Sequence, residues 1–139
     1  MKDVIDYKPS FSKAVGDDGR LFAFFRTRNG DPVYREDEDG LRHFTVDVYL
    51  KSSHAKQIDL VEYVIDDPTF YDPLGLAYES KDDFHEVIRT YGDVPIDVKV
   101  YMGSFVRVQR VWLSELLQNG YADGMTESIR DALQRIKAN

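Results

Sequence analysis

Alternation of apolar and polar positions dominates the middle of this chain. Between His43 and Leu50, Phe44, Val46, Val48 and Leu50 fall on one side, and Thr45, Asp47 and Tyr49 on the other. Between Val94 and Met102, Val94, Ile96, Val98, Val100 and Met102 oppose Pro95, Asp97, Lys99 and Tyr101. A period of two is the mark of a strand with one face in a core and one in water.

Four further segments read as strands with less regular patterns. Ile58 to Ile65 is nearly continuous in apolar residues, which predicts a central strand covered on both sides. Phe84 to Thr90 is polar enough to predict an edge. Arg20 to Arg28 carries Leu21, Phe22, Phe24 and Phe25, and Phe105 to Trp112 is rich in valine and aromatics. Turn signals separate them: Asp18-Gly19, Asn29-Gly30, Asp39-Gly40, Asp72-Pro73 and Asn119-Gly120, with Gly103-Ser104 as a tight turn. Short strands at this spacing predict an all-β protein, an immunoglobulin-like antiparallel β-sandwich.

The pattern changes near the end. Ser114 to Gln118 fits one short helical turn, closed by Asn119-Gly120. Thr126 fits the N-cap of a C-terminal α-helix running to Ala138, with Met125, Ile129, Leu133 and Ile136 at helical spacing along one side. That stripe must dock on the sandwich or on another chain. The expected organisation is residues 1–18 as an arm or edge strand, 19–112 as the sandwich and 113–139 as the helical segment.

Composition narrows the chemistry. The 139 residues include no cysteine, which excludes disulfides, thiolate nucleophiles and Cys-based zinc sites. The three histidines, His43, His54 and His85, lie in no HxH, HxxxH or HExxH pattern, and each reads as a surface or strand-edge residue. No phosphate-binding glycine loop and no GxSxG elbow is present. Glu36 to Gly40 is acidic but lacks the alternating ligands of a calcium loop, so it reads as a solvated hairpin turn. These points predict no enzyme, no cofactor and no metal. A net charge of −7 disfavours nucleic acid and favours a basic protein or peptide as partner. The absence of a long apolar run argues against membrane insertion, and the first residues lack a secretion signal, so a cytoplasmic location is expected.

The stretch from Ile58 to Met102 carries a further signal. Val61, Tyr63, Val64, Ile65, Asp67, Thr69 and Phe70 stand in order, with Pro68 and Pro73 beside them, and Thr90, Tyr91, Gly92, Asp93 and Val94 follow as a second turn. Together these resemble the core of the YEATS family, in its prokaryotic branch, and the resemblance extends from Gly19 to Met102. It implies a non-enzymatic sensor or binding module that recognises a protein segment, the family's ligand being an acyl-modified lysine. It also implies coupling to a signalling or membrane effector, which here would be a separate protein. In acyl-lysine readers the two loops form an aromatic slot at one end of the sandwich. By that resemblance Thr69 supplies a hydroxyl, Phe70 and Tyr91 supply rings, and Gly92 allows close backbone approach. Asp93 is the acidic member of the second turn, and Leu41 falls near an aromatic of the family's first loop.

Two departures stand out. Asp67 occupies the place of a histidine in the readers, and Thr90 the place of a glycine. An aspartate would shift the slot's preference towards a cation. Two other readings stay open. Phe70 and Tyr91 would plug the end of the core while Asp67 and Thr69 make turn hydrogen bonds, or the C-terminal helix would dock on a partner with no ligand slot at all.

Overall fold

The computed structural model describes residues 20–65, 67 and 74–139. The Asp18-Gly19 and Asp72-Pro73 turns, the N-terminal arm and the Pro68–Pro73 segment lie outside the described residues. The described strands are β1 (Arg20–Phe25), β2 (Thr27–Arg28), β3 (Asp31–Pro32), β4 (Tyr34–Glu36), β5 (Arg42–Lys51), β6 (Leu60–Ile65), β7 (Leu74–Ala77), β8 (Glu86–Thr90), β9 (Pro95–Met102) and β10 (Phe105–Trp112). Two helices follow, α1 (Leu113–Gly120) and α2 (Glu127–Ala138).

The strands form mostly antiparallel sheets, as the alternation predicts for an all-β protein with a helical C-terminus. One four-stranded sheet runs β1-β5-β4, with β8 also paired to β5. A second runs β10-β9-β6-β7, and β2-β3 is a separate hairpin at Asn29-Gly30. The chain divides into two compact units. Of the described residues, one holds 20–21, 49–65, 67, 74–86 and 95–111, and the other 22–48, 87–94 and 112–139.

In the first unit, β6 is central, antiparallel to β7 on one side and to β9 on the other. The register opposes Val61 to Val100, Tyr63 to Val98 and Ile65 to Ile96, which puts these side chains on one buried face. The expectation that β6 is covered on both sides is corrected here. Leu60, Glu62 and Val64 are only half-buried, so the strand has one core face like its neighbours. Phe84 is also corrected. It does not begin β8 but sits before it with φ 51°, next to Asp83 with φ 51°, and its ring is fully buried.

In the second unit, Phe44, Val46 and Val48 of β5 are buried as predicted. Asp47, on the opposite side of that strand, is also 9% exposed because Arg26 covers it with a bond of 2.6 Å from Nη2 to Oδ1. Helix α1 is longer than the predicted single turn, and it ends at Asn119-Gly120 as predicted, with Gly120 as its last residue rather than as a left-handed cap beyond it. Thr126 caps α2 as predicted, its hydroxyl accepting from the Ile129 N–H at 3.3 Å. Ile129, Leu133 and Ile136 are buried, so the apolar stripe of α2 is covered within the chain itself.

Candidate functional site

The second turn of the expected slot is built from side chains that bond to their own backbone. Thr90, 4% exposed at the end of β8, donates from Oγ1 to the Gly92 carbonyl at 2.9 Å and accepts from the Gly92 N–H at 3.1 Å. Its hydroxyl closes the turn that a glycine would leave open. Gly92 is buried, and a Cβ there would meet the Asn139 carbonyl carbon at 2.9 Å. The room left by the missing side chain is therefore taken by Asn139, the residue that follows α2.

Asp93 works in the opposite direction, away from the turn. Its Oδ1 accepts from the Ser114 N–H at 2.9 Å, and its Oδ2 accepts from the Ser114 hydroxyl at 2.7 Å. Ser114 is the second residue of α1, whose first N–H groups have no partner inside the helix. Trp112 stands at the N-cap position and has no oxygen to offer, so Asp93 supplies the cap from a loop 21 residues earlier. Glu115 completes the arrangement by accepting from the Trp112 N–H at 3.0 Å. A carboxylate here also meets the positive end of the helix dipole. Replacing Asp93 by alanine is expected to cost about 1–2 kcal/mol of stability, the usual worth of a cap. Urea melts of the variant and of the milder Asp93→Asn check this.

Between these two anchored neighbours, Tyr91 is 41% exposed. Its ring lies edge-on to the His43 imidazole, with centroids 5.3 Å apart and planes at 62°. His43 is on β5, opposite Arg35 in the β4-β5 hairpin. Its Nε2 lies 2.8 Å from Asp37 Oδ2. Asp37 organises the hairpin loop that ends at Leu41: its Oδ1 accepts from the N–H groups of Asp39 at 2.9 Å and Leu41 at 3.0 Å. The Asp37 N–H in turn donates to the Leu41 carbonyl at 2.9 Å. The bond to His43, then the Leu41 N–H, hold the Asp37 carboxyl below its ordinary value.

The structure thus joins Leu41 and Tyr91 through Asp37 and His43, all within the second unit, together with Gly92 and Asp93. Asp67 follows β6 in the first unit, half-buried. Thr69 and Phe70 lie outside the described residues. Sequence reasoning passed over Asp37 and His43 as functional residues. They are six positions apart, and only the register of the hairpin turns them towards each other and towards Tyr91. No local motif announces that.

The arrangement presents one aromatic face, one imidazole and one carboxylate on a pinned loop. Such a surface can stack on a planar or aliphatic group and bond to its polar edge. No known family model matches the chain, and no curated protein matches it. Among the described residues, no helix is long and apolar enough to cross a membrane.

Proposed function

We propose that this chain is a non-enzymatic recognition module on an immunoglobulin-like β-sandwich, akin to the prokaryotic YEATS modules its motifs resemble. It takes a protein segment on the surface formed by the Asp37–Leu41 loop, His43 and Tyr91. The observation that carries this reading is Tyr91 itself. Thr90 closes the turn beneath it, Asp93 ties the next residues to α1, and Asn139 presses on Gly92. A turn so fixed could bury its aromatic ring, yet the ring stays 41% exposed. An exposed ring on a rigid support loses little conformational freedom on binding, which is what preorganised recognition surfaces use.

The acidic balance of the chain favours a basic segment, and an acyl-modified lysine within it is the ligand the family resemblance suggests. The partner would be a cytoplasmic protein, with any signalling or membrane effector on a separate chain. Burial of Ile129, Leu133 and Ile136 weighs against the rival reading, in which α2 offers its apolar stripe to a partner.

The test is an array of lysine peptides, acylated and unmodified, probed with the natural chain and with Tyr91→Ala, beside a thermal melt of each. The expected result is binding to a subset of peptides, weakened at least ~10-fold by the substitution, with the melting temperature nearly unchanged. A variant that melts much earlier, with no peptide bound by either protein, would show that Tyr91 serves the core and sink the proposal.

A further inference from the structure

Strand β7 is an edge of its sheet, and among the described residues β6 is its one strand partner. Its register opposes Leu74 to Val64 and Leu76 to Glu62, so both leucines stand on the face away from Val61, Tyr63 and Ile65. Leu74 is 49% exposed and Leu76 45%. Tyr78, next in the alternation, is 63% exposed. Gly75 and Ala77 point the other way, where Ala77 is buried and Glu86 fills the space beside Gly75, its Oε2 2.6 Å from where a Cβ would be.

Edge strands of soluble proteins are usually blunted by charge, proline or brevity. The opposite edge of this sheet follows that habit, since β10 carries Arg107 and Arg110. The β4 strand of the other sheet carries Arg35 and Glu36. Leu74-Gly75-Leu76-Ala77 has neither charge nor proline. Among the described residues, only its shortness protects it.

The strand is also complementary to itself. A two-fold axis normal to the sheet, lying beside β7 at the level of Leu76, pairs two copies antiparallel. Faces are preserved, because opposed residues in an antiparallel pair share a face. Leu76 then meets Leu76 of the second copy, each Leu74 meets Tyr78 of the other, and Gly75 meets Ala77. All three exposed apolar side chains are covered at once, and no charged residue lies opposite a like charge between Leu74 and Tyr78.

We infer that β7 is a self-association edge, through which two copies of this chain pair antiparallel about Leu76 and extend the sheet. The contact is short, well under the ~1,600 Å² of a standard interface. The dimer is therefore weak, with a dissociation constant in the range of ~10–1,000 µM. The net charge of −7 opposes the approach of two copies, so added salt strengthens the dimer by screening. The inference stands on a different unit from the Tyr91 surface and does not depend on it.

The experiment is sedimentation velocity over a concentration series, for the natural chain and for Leu76→Lys, with circular dichroism to verify the fold. The natural chain is expected to shift from monomer to dimer as concentration rises, more so at higher salt. Leu76→Lys sets two ammonium groups face to face on the axis and should raise the dissociation constant at least ~10-fold. A second arm fixes the register. The chain has no cysteine, so Leu76→Cys offers one thiol. That variant should cross-link across the axis on oxidation. In Leu74→Cys the two thiols stand four residues apart along paired strands, ~13 Å, too far for a disulfide. A dimer that ignores Leu76→Lys, or equal cross-linking of the two cysteine variants, overturns the inference. So does a chain that stays monomeric at every concentration, which would leave the edge to a strand of another protein.

Discussion

Gly120→Ala is expected to lower the stability of this protein by about 2–4 kcal/mol, a large share of what a domain of this size possesses. Gly120 ends α1, and the helix meets β1 there at backbone distance. An added Cβ would collide with the Ala23 carbonyl oxygen and lie 2.9 Å from the carbonyl carbon and 3.2 Å from Phe24 Cε1. The first two atoms belong to a strand held by its sheet partners and cannot swing aside as a side-chain tip could. Ala23 is fully buried, and the next residue of the chain after Gly120, Tyr121, accepts the Phe25 N–H at its phenolic oxygen at 3.0 Å. Tyr121 also contacts the Phe24 ring, edge-on at 5.1 Å between centroids. Pushing α1 off β1 therefore breaks that hydrogen bond and loosens the ring packing together. Alanine is the better helix former by about 1 kcal/mol, so propensity alone predicts the opposite sign. Chemical denaturation of the variant decides between sterics and propensity; a neutral or stabilising result would mean that α1 does not dock this closely.

Gly120 also shows where the sequence stops being readable. Asn119-Gly120 reads as a helix terminator, because glycine after a polar residue usually ends a helix in a left-handed turn. Here the glycine is needed for close approach, and the signal for that lies in Ala23, far away in the chain. The strands with strict alternation were legible: Phe44, Val46, Val48 and Leu50 are buried, as are Ile96, Val98 and Val100. Strand β6 misled because Leu60 and Val64 put apolar atoms on its outer face, where β7 and β9 lie alongside and leave them half-covered. Strand β7 went unseen because four residues with a glycine among them are too short to show a period. At the site, Tyr91 was legible as an aromatic on a turn, and Thr90 as a turn residue. The bond from Asp93 to Ser114 and the bond from Asp37 to His43 were not. Each joins a loop residue to a strand or helix residue that only the fold brings beside it, so composition and spacing carry no trace of them.

Tyr63→Phe is expected to cost about 1–3 kcal/mol near neutral pH, and the cost should shrink in alkali. Tyr63 is 1% exposed on β6, and its hydroxyl donates to the Phe84 carbonyl at 2.7 Å. That carbonyl belongs to the second of two consecutive non-glycine residues with positive φ, Asp83 and Phe84. Such conformations cost roughly 1–2 kcal/mol each and persist only when neighbours enforce them. Tyr63 is one enforcer, the Phe84 ring buried in the core is another, and the bond from the Leu50 N–H to the Asp83 carbonyl at 2.8 Å is a third. Removing the hydroxyl leaves a buried carbonyl without this donor, which sets the size of the loss. The pH dependence follows from ionisation. Burial, then the carboxylates of Glu86 and Asp83, push the phenol well above its ordinary value of 10.0. Above pH ~10 the unfolded chain releases this proton while the folded chain keeps it. The folded state then binds more protons, so stability falls as pH rises, by up to about 1.4 kcal/mol per pH unit from this group. Phenylalanine has no proton to lose, and the variant escapes that part of the fall. Tyr121, half-buried and likewise raised by burial, keeps contributing to both proteins. Urea melts at pH 8 and pH 11 should therefore show the gap between natural chain and variant narrowing with pH. A gap that stays constant would mean that the Tyr63 hydroxyl reaches solvent and that Phe84 is held by its ring alone.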